Sequence, residues 1–155
     1  MGDTMSLVDE TDKLIINHIQ SDFPIDSNPF AVIGQNIGLS EAEVISRVQK
    51  LKDNGIIRRI GGNFSPEKLG FFSTLCSAKV PVDKIESFSK FVNKYPGVTH
   101  NYIREHEYNV WFTFIAPSFE TIENNLKTIA ESTGIDTINN LPATKVFKIS
   151  AKFKL

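Results

Sequence analysis

Residues Thr99–Phe114 read THNYIREHEYNVWFTF, and the register of this stretch decides the fold. A two-residue turn at His106-Glu107 sets Glu105 opposite Tyr108, Arg104 opposite Asn109, Ile103 opposite Val110, Tyr102 opposite Trp111 and His100 opposite Thr113. Side chains of a strand alternate between its two faces, so this hairpin sorts into two sets. Ile103, Val110, Phe112 and Phe114 form an apolar set suited to burial beneath helices. His100, Tyr102, Arg104, Asn109, Trp111 and Thr113 form the other. It brings imidazole, phenol, guanidinium, amide and the chain's one tryptophan onto a face that a plain core would not need.

Working outward, Phe71–Val80 reads as a strand before the hairpin. Asp83–Lys94 is amphipathic, with Ile85, Phe88, Phe91 and Val92 on one side of a helix. After the hairpin, Ser118 caps a second helix carrying Phe119, Ile122, Leu126 and Ile129. Val146–Phe153 alternates Phe147, Ile149, Ala151 and Phe153 against Lys148, Ser150 and Lys152, the pattern of a last strand. The order βαββαβ implies a ferredoxin-like, four-stranded antiparallel sheet with both helices on one face. The other face is left open, and such a face usually packs against a partner.

Residues before Ser65 have a different rhythm. Leu7, Leu14, Ile15 and Ile19 give a first helix one apolar side. Pro24 and Pro29 separate it from a short second helix marked by Phe30, Ile33 and Ile37 and stopped by Gly38. Ser40 followed by Glu43 is a capping box for a third helix running to about Asp53, with Val44, Val48 and Leu51 as its buried stripe. Asn54-Gly55 stops it. This is the layout of a helix-turn-helix domain, and Ile56–Phe64 reads as a short strand in the place of a wing. With the boundary at Ser65–Gly70, the α+β chain divides into residues 1–64 and 65–155.

Bulk properties narrow the function. Net charge is −1 over 155 residues, which argues against strong non-specific nucleic-acid binding. The third helix agrees: Glu41 and Glu43 occupy the first turns, where a recognition helix must meet phosphate or bases. Arg47, Lys50 and Lys52 only balance Glu41, Glu43 and Asp53. A lone cysteine, Cys76, excludes an internal disulfide and a cysteine-rich metal site. Neither a signal peptide nor a membrane-spanning run is present in the sequence, so the cytoplasm is the expected location.

The polar set of the hairpin suits a planar polycarboxylate. Trp111 and Tyr102 offer flat surfaces, and Arg104 a bidentate clamp for a carboxylate. His100 and His106 can exchange protons near neutral pH or ligate iron. Lys79, Arg58 and Arg59 add positive charge if the wing folds back. Plainer roles exist for the same residues. Aromatic side chains on an open sheet face commonly form oligomer contacts, His18 fits a structural role, and His106 in a turn can simply be solvated. Arg58-Arg59 can contact phosphate or nothing.

LVDETDKLIINHIQSD (7–22), EVISRVQKLKDNGII (43–57) and RRIGGNF (58–64) resemble the corresponding segments of the leucine-responsive/asparagine (Lrp/AsnC) regulators. GVTHNYIREHEYNVWFTF (97–114), IIRRIGGNFSPEKLGF (56–71) and STLCSAKVP (73–81) resemble more specifically the siroheme decarboxylase subunits of alternative haem biosynthesis, A-type rather than B-type, to which proteins of haem d1 synthesis are related. The resemblance implies a carboxy-lyase that turns siroheme into 12,18-didecarboxysiroheme by releasing two acetate carboxyls as CO2. It also implies a homologous decarboxylase subunit or a second copy as partner. No separate cofactor is implied, because the substrate is itself an iron tetrapyrrole, and haem binding is implied with it. Carried onto this chain, His100, His106 and Arg104 become the catalytic candidates, and Arg58, Arg59, Tyr102, Asn109, Trp111 and Lys79 the substrate-binding ones. Proton delivery and contact with the iron are both open to the two histidines. The competing readings are a DNA-binding regulator that senses a small ligand or haem, and a haem-binding or chaperone partner without catalysis.

Overall fold

A computed structural model describes residues 8–62, 64–150, 152, 153 and 155. They form two compact units: the chain up to Gly62 together with Lys148–Leu155, and the chain between them.

The first unit holds α1 (Glu10–Ser21), α2 (Pro29–Ile37) and α3 (Glu41–Asp53). Each starts where its sequence stops competing with the helix. Asp9 caps α1 by accepting from the Asp12 N–H at 2.7 Å, and Asp12 returns the bond to the Asp9 N–H. Pro29 opens α2, and Gly38 closes it in the left-handed region at φ 75°. The Ser40–Glu43 capping box forms as expected at the start of α3. Ile15, Ile33, Val44, Val48, Leu51 and Ile57 make the core. Leu14, expected on the apolar side of α1, is half exposed, and Leu7 lies outside the described residues.

The expected wing strand is not formed by the described residues of Ile56–Phe64. The Ile56 and Ile57 N–H groups both donate to the Leu51 carbonyl, at 2.9 and 3.1 Å, closing the end of α3 instead of joining a ladder. Asn63 lies outside the described residues.

Arg47 organises this unit in a way helix patterning does not reveal. Its Nη1 donates to Asp9 Oδ2 and Asp12 Oδ1, each at 2.8 Å, and Asp12 is 5% exposed. The guanidinium holds the Asp9 carboxyl below the usual aspartate range. Removing one member of a largely buried pair leaves the other charge uncompensated. Arg47→Ala is therefore expected to cost about 1–2 kcal/mol, discounted because Arg47 itself is a third exposed. A depressed carboxyl contributes stability present above the unfolded aspartate range, near pH 4, and lost as pH falls through its folded value. Acid titration of the unfolding midpoint should thus be shallower in R47A than in wild type.

The second unit carries β1 (Phe72–Ala78), α4 (Ile85–Val92), β2 (Val98–Ile103), β3 (Val110–Ala116), α5 (Phe119–Thr133) and β4 (Ile138–Leu141). Short 3-10 turns at Glu67–Leu69 and Val82–Lys84 precede β1 and α4. The strand order is β2-β3-β1-β4, all neighbours antiparallel. This is the ferredoxin-like arrangement expected from the element order. Val110, Phe112, Phe114 and Ala116 point to the helices and are buried against Phe88, Val92, Ile122 and Ile129. Cys76 lies in this core, and burial, with Glu123 nearby, pushes its thiol up to about 12, so it is not a nucleophile.

The hairpin register is the expected one: Ile103 pairs with Val110, Tyr102 with Trp111 and His100 with Thr113. Pairing stops at the bond from the Arg104 N–H to the Asn109 carbonyl (2.8 Å), so Glu105–Tyr108 form a longer loop than a two-residue turn. Ile103, expected in the core, is 68% exposed. It ends the edge strand β2, beyond the cover that buries its neighbour Val110.

The last strand is not Val146–Phe153 but Ile138–Leu141, which pairs with β1 from Leu75 to Ala78. Gly134 ends α5 at φ 67°, and Ile135 drops into the core. Only a short connection then separates the helix from the free edge of β1. The first segment able to pair takes that edge, leaving none for the later one. Among its described residues, Val146–Phe153 forms no strand; Phe147 and Ile149 are exposed, and the backbone of Phe153 pairs with the Gln20 amide at 2.7 and 3.0 Å. Ala151 lies outside the described residues.

Gly97, at the entry to β2, donates no side chain for a structural reason. A Cβ there would run into the Ile115 carbonyl, and the Ile115 N–H donates to the Gly97 carbonyl at 2.8 Å. Backbone cannot yield as a side chain can, so Gly97→Ala must pry β2 from β3. A loss of about 2 kcal/mol is expected, read as a fall of several degrees in the thermal midpoint.

Candidate functional site

The face of the sheet away from α4 and α5 is organised in rows by strand register. Tyr102, Trp111, Ser77 and Asn139 lie across one row, from β2 through β3 and β1 to β4. His100, Thr113, Leu75 and Leu141 form the next. At the other side of the first row the strands end in Arg104, Asn109 and Lys79. Alternation therefore delivers the expected polar set of the hairpin to one face, and β1 and β4 extend it.

Two of these groups, Arg104 and Trp111, meet His106 at the loop end. The Arg104 guanidinium lies over the Trp111 ring, 5.5 Å from its centroid. The His106 ring meets the same tryptophan edge-on at 6.3 Å and stacks on Tyr108 at 6.1 Å. Trp111 Nε1 donates to the Tyr108 carbonyl at 2.6 Å, tying the ring to the loop that carries His106. His106 Nδ1 accepts the Tyr108 backbone N–H at 3.0 Å. With Nδ1 an acceptor, the neutral imidazole carries its proton on Nε2, which is left for a ligand. Among the described residues Arg104 makes no salt bridge.

His100 belongs to a second cluster. Its ring stacks on Tyr102 at 6.0 Å, and Nδ1 lies 3.1 Å from Thr99 Oγ1 and 3.3 Å from Thr113 Oγ1. Tyr102, half exposed and paired with Trp111, links the two clusters.

The remaining candidates are placed differently. Asn109 donates to the Val80 carbonyl at 2.8 Å and accepts from its N–H at 2.9 Å, so both ends of its amide are engaged in holding the loop against β1. Lys79 pairs with Glu107 at 2.8 Å. Each raises the charge preference of the other: Glu107 lifts the Lys79 ammonium and Lys79 lowers the Glu107 carboxyl. Both are more than half exposed, so the pair adds little stability and is readily exchanged for another anion. Arg58 and Arg59 are exposed residues of the first unit. Ser77 and Asn139 are not found by alternation, because β4 is the short, unpatterned INNL (138–141); the Gly134 helix stop just before it is the one local signal.

Two family models match this chain: a siroheme decarboxylase NirDL-like HTH domain over residues 12–58 and an AsnC-like ligand binding domain over residues 68–148. The siroheme decarboxylase alpha subunit of Oleidesulfovibrio alaskensis is 53% identical over 148 residues, covering 96% of this chain and 90% of that protein. The crystal structure of the siroheme decarboxylase NirDL in complex with an iron-uroporphyrin III analogue superposes with TM-score 0.66 and 31% identity, over 92% of this chain. This chain spans about half of that one, 48%. Escherichia coli AsnC, 18% identical with TM-score 0.76 over 94% of this chain, shares the fold.

Proposed function

Because the chain belongs to the siroheme decarboxylase family, we propose that it is the alpha-type subunit of an assembly converting siroheme to 12,18-didecarboxysiroheme. The observation that carries the reading is the cluster of Arg104, Trp111 and His106, a cation without a described carboxylate partner and an imidazole with a free Nε2 on one aromatic surface.

The chemistry asks for little more. Each of the two reacting acetates loses its C–CO2 bond and CO2 departs. The electron pair left on the methylene carbon is delocalised into the conjugated macrocycle until a proton converts that carbon to a methyl group. The ring itself is the electron sink, so the protein's tasks are to bind, to desolvate and to protonate. Arg104 grips a retained carboxylate while Trp111 and Tyr102 pack the ring and exclude water. The departing carboxylate, poorly solvated there, gains as its charge disperses in the transition state. His106 supplies the proton from Nε2 as its imidazolium, the Tyr108 N–H contact opening as Nδ1 is protonated. His100, beside Tyr102, faces the ring and contacts the iron. Asn109 serves by fixing the loop of His106 rather than by touching substrate. Lys79, released from Glu107, is a further cation for the substrate's acids.

The partner is a homologous subunit. The alpha naming of the relatives and the half-length match to NirDL both favour two related halves per enzyme. A DNA-binding regulator is disfavoured: Arg47 is engaged by Asp9 and Asp12, and Glu43, held charged by Ser40, stands at the first turn of α3. No described helix is long and apolar enough to cross a membrane.

Anaerobic incubation of the purified chain with siroheme, with and without its homologous partner, tests the proposal. Successive losses of the mass of CO2 are expected with both subunits present. An intact substrate beside a retarded operator band at low salt would favour the regulator instead.

A further inference from the structure

The two asparagines of β4 have opposite fates. Asn140 faces the helices, where its amide joins Thr74 and Glu123. Asn139 faces the open side, half-buried, and its Nδ2 donates one hydrogen to Ser77 Oγ at 3.3 Å. Ser77 is itself covered, at 1% exposure, so it fixes the amide without competing for a ligand. The second Nδ2 hydrogen and Oδ1 of Asn139 have no partner among the described residues.

Asn139 closes the row that begins with Tyr102 and runs through Trp111 and Ser77. Three strand spacings of about 4.8 Å make that row roughly 14 Å long, the span of a tetrapyrrole with its side chains. A ring centred over Trp111 then has cationic groups at the strand ends and an oriented neutral amide at the far edge of the sheet. An amide donor binds a carboxylate without the charge that would hold it too tightly for product release.

We propose that Asn139 is a further substrate-contacting residue, donating to an acetate carboxylate that the product retains, at the sheet edge opposite Tyr102. This rests on the open face being the tetrapyrrole site. The test is a spectroscopic titration of the full chain with iron-uroporphyrin III, which bears an acetate and a propionate on every pyrrole, and in parallel with haem, which bears propionates on only two. Asn139→Ala is expected to weaken iron-uroporphyrin III roughly tenfold while leaving haem affinity and the thermal midpoint unchanged. Asn139→Asp, isosteric but anionic, should weaken it at least as much. Unchanged iron-uroporphyrin III affinity in both variants overturns the proposal, as does an equal loss for both ligands with a lowered midpoint, which marks a structural role. If the wild-type chain binds both ligands and the Asn139 variants bind them equally well, the functional reading survives without this residue; if the wild-type chain binds neither ligand, both fall.

Discussion

Replacing His106 with alanine is expected to slow CO2 release by about 10²–10³-fold while leaving tetrapyrrole affinity close to wild type. The loop around His106 is held independently of its Nε2: Asn109 clamps Val80, Trp111 Nε1 holds Tyr108, and the Arg104 N–H closes the ladder. Removing the ring therefore deletes a proton donor more than it disturbs a site. His106→Asn sharpens the experiment, because an amide oxygen near the place of Nδ1 can still accept the Tyr108 N–H yet supplies no titrating proton. Wild-type turnover in both variants would remove His106 from the chemistry. His100→Ala, measured alongside, should lower affinity more than kcat, since its ring lies against Tyr102 and the Thr99 and Thr113 hydroxyls.

Arg104→Ala should weaken binding of iron-uroporphyrin III by about 10–100-fold, the range expected for a charge-assisted bond to a carboxylate. Its guanidinium has no described carboxylate partner to leave stranded, and its contact with Trp111 is worth only about 0.5–1 kcal/mol at such exposed sites, so folding should change little. Arg104→Lys distinguishes charge from geometry. A lysine keeps the charge but lacks the planar fork that both stacks on the indole and grips two oxygens, so it should recover only part of the affinity. Full recovery would reduce Arg104 to a general electrostatic role; wild-type affinity in R104A would show that the carboxylates are bound elsewhere.

Much of this site was legible from one stretch of chain because strand geometry is strict. Once Tyr102 is set opposite Trp111, a period of two places every neighbour, and the observed register follows it through His100 and Thr113. The capping box at Ser40 was equally plain, since it depends on residues three apart. Failures came where distant parts of the chain compete for one position. Val146–Phe153 alternates more convincingly than Ile138–Leu141, yet the free edge of β1 went to the segment that reached it first after Gly134. Asn109 looked like a ligand for substrate because nothing local predicts that both ends of its amide meet the backbone of Val80.

What the amino-acid order determined alone was therefore local and periodic: helix starts, the two faces of the hairpin, and an imidazole, a guanidinium and an indole placed on one of them. Tertiary structure decided which strand completes the sheet, which polar groups are already satisfied, and which remain free. Arg47 is taken by Asp9 and Asp12, whereas Arg104 makes no described ion pair. Arg47 sits within α3 and Arg104 just past the end of β2; the hairpin alone gives Arg104 its aromatic face, whereas only the packing of α1 against α3 brings a buried carboxylate to Arg47 and makes it a structural cation.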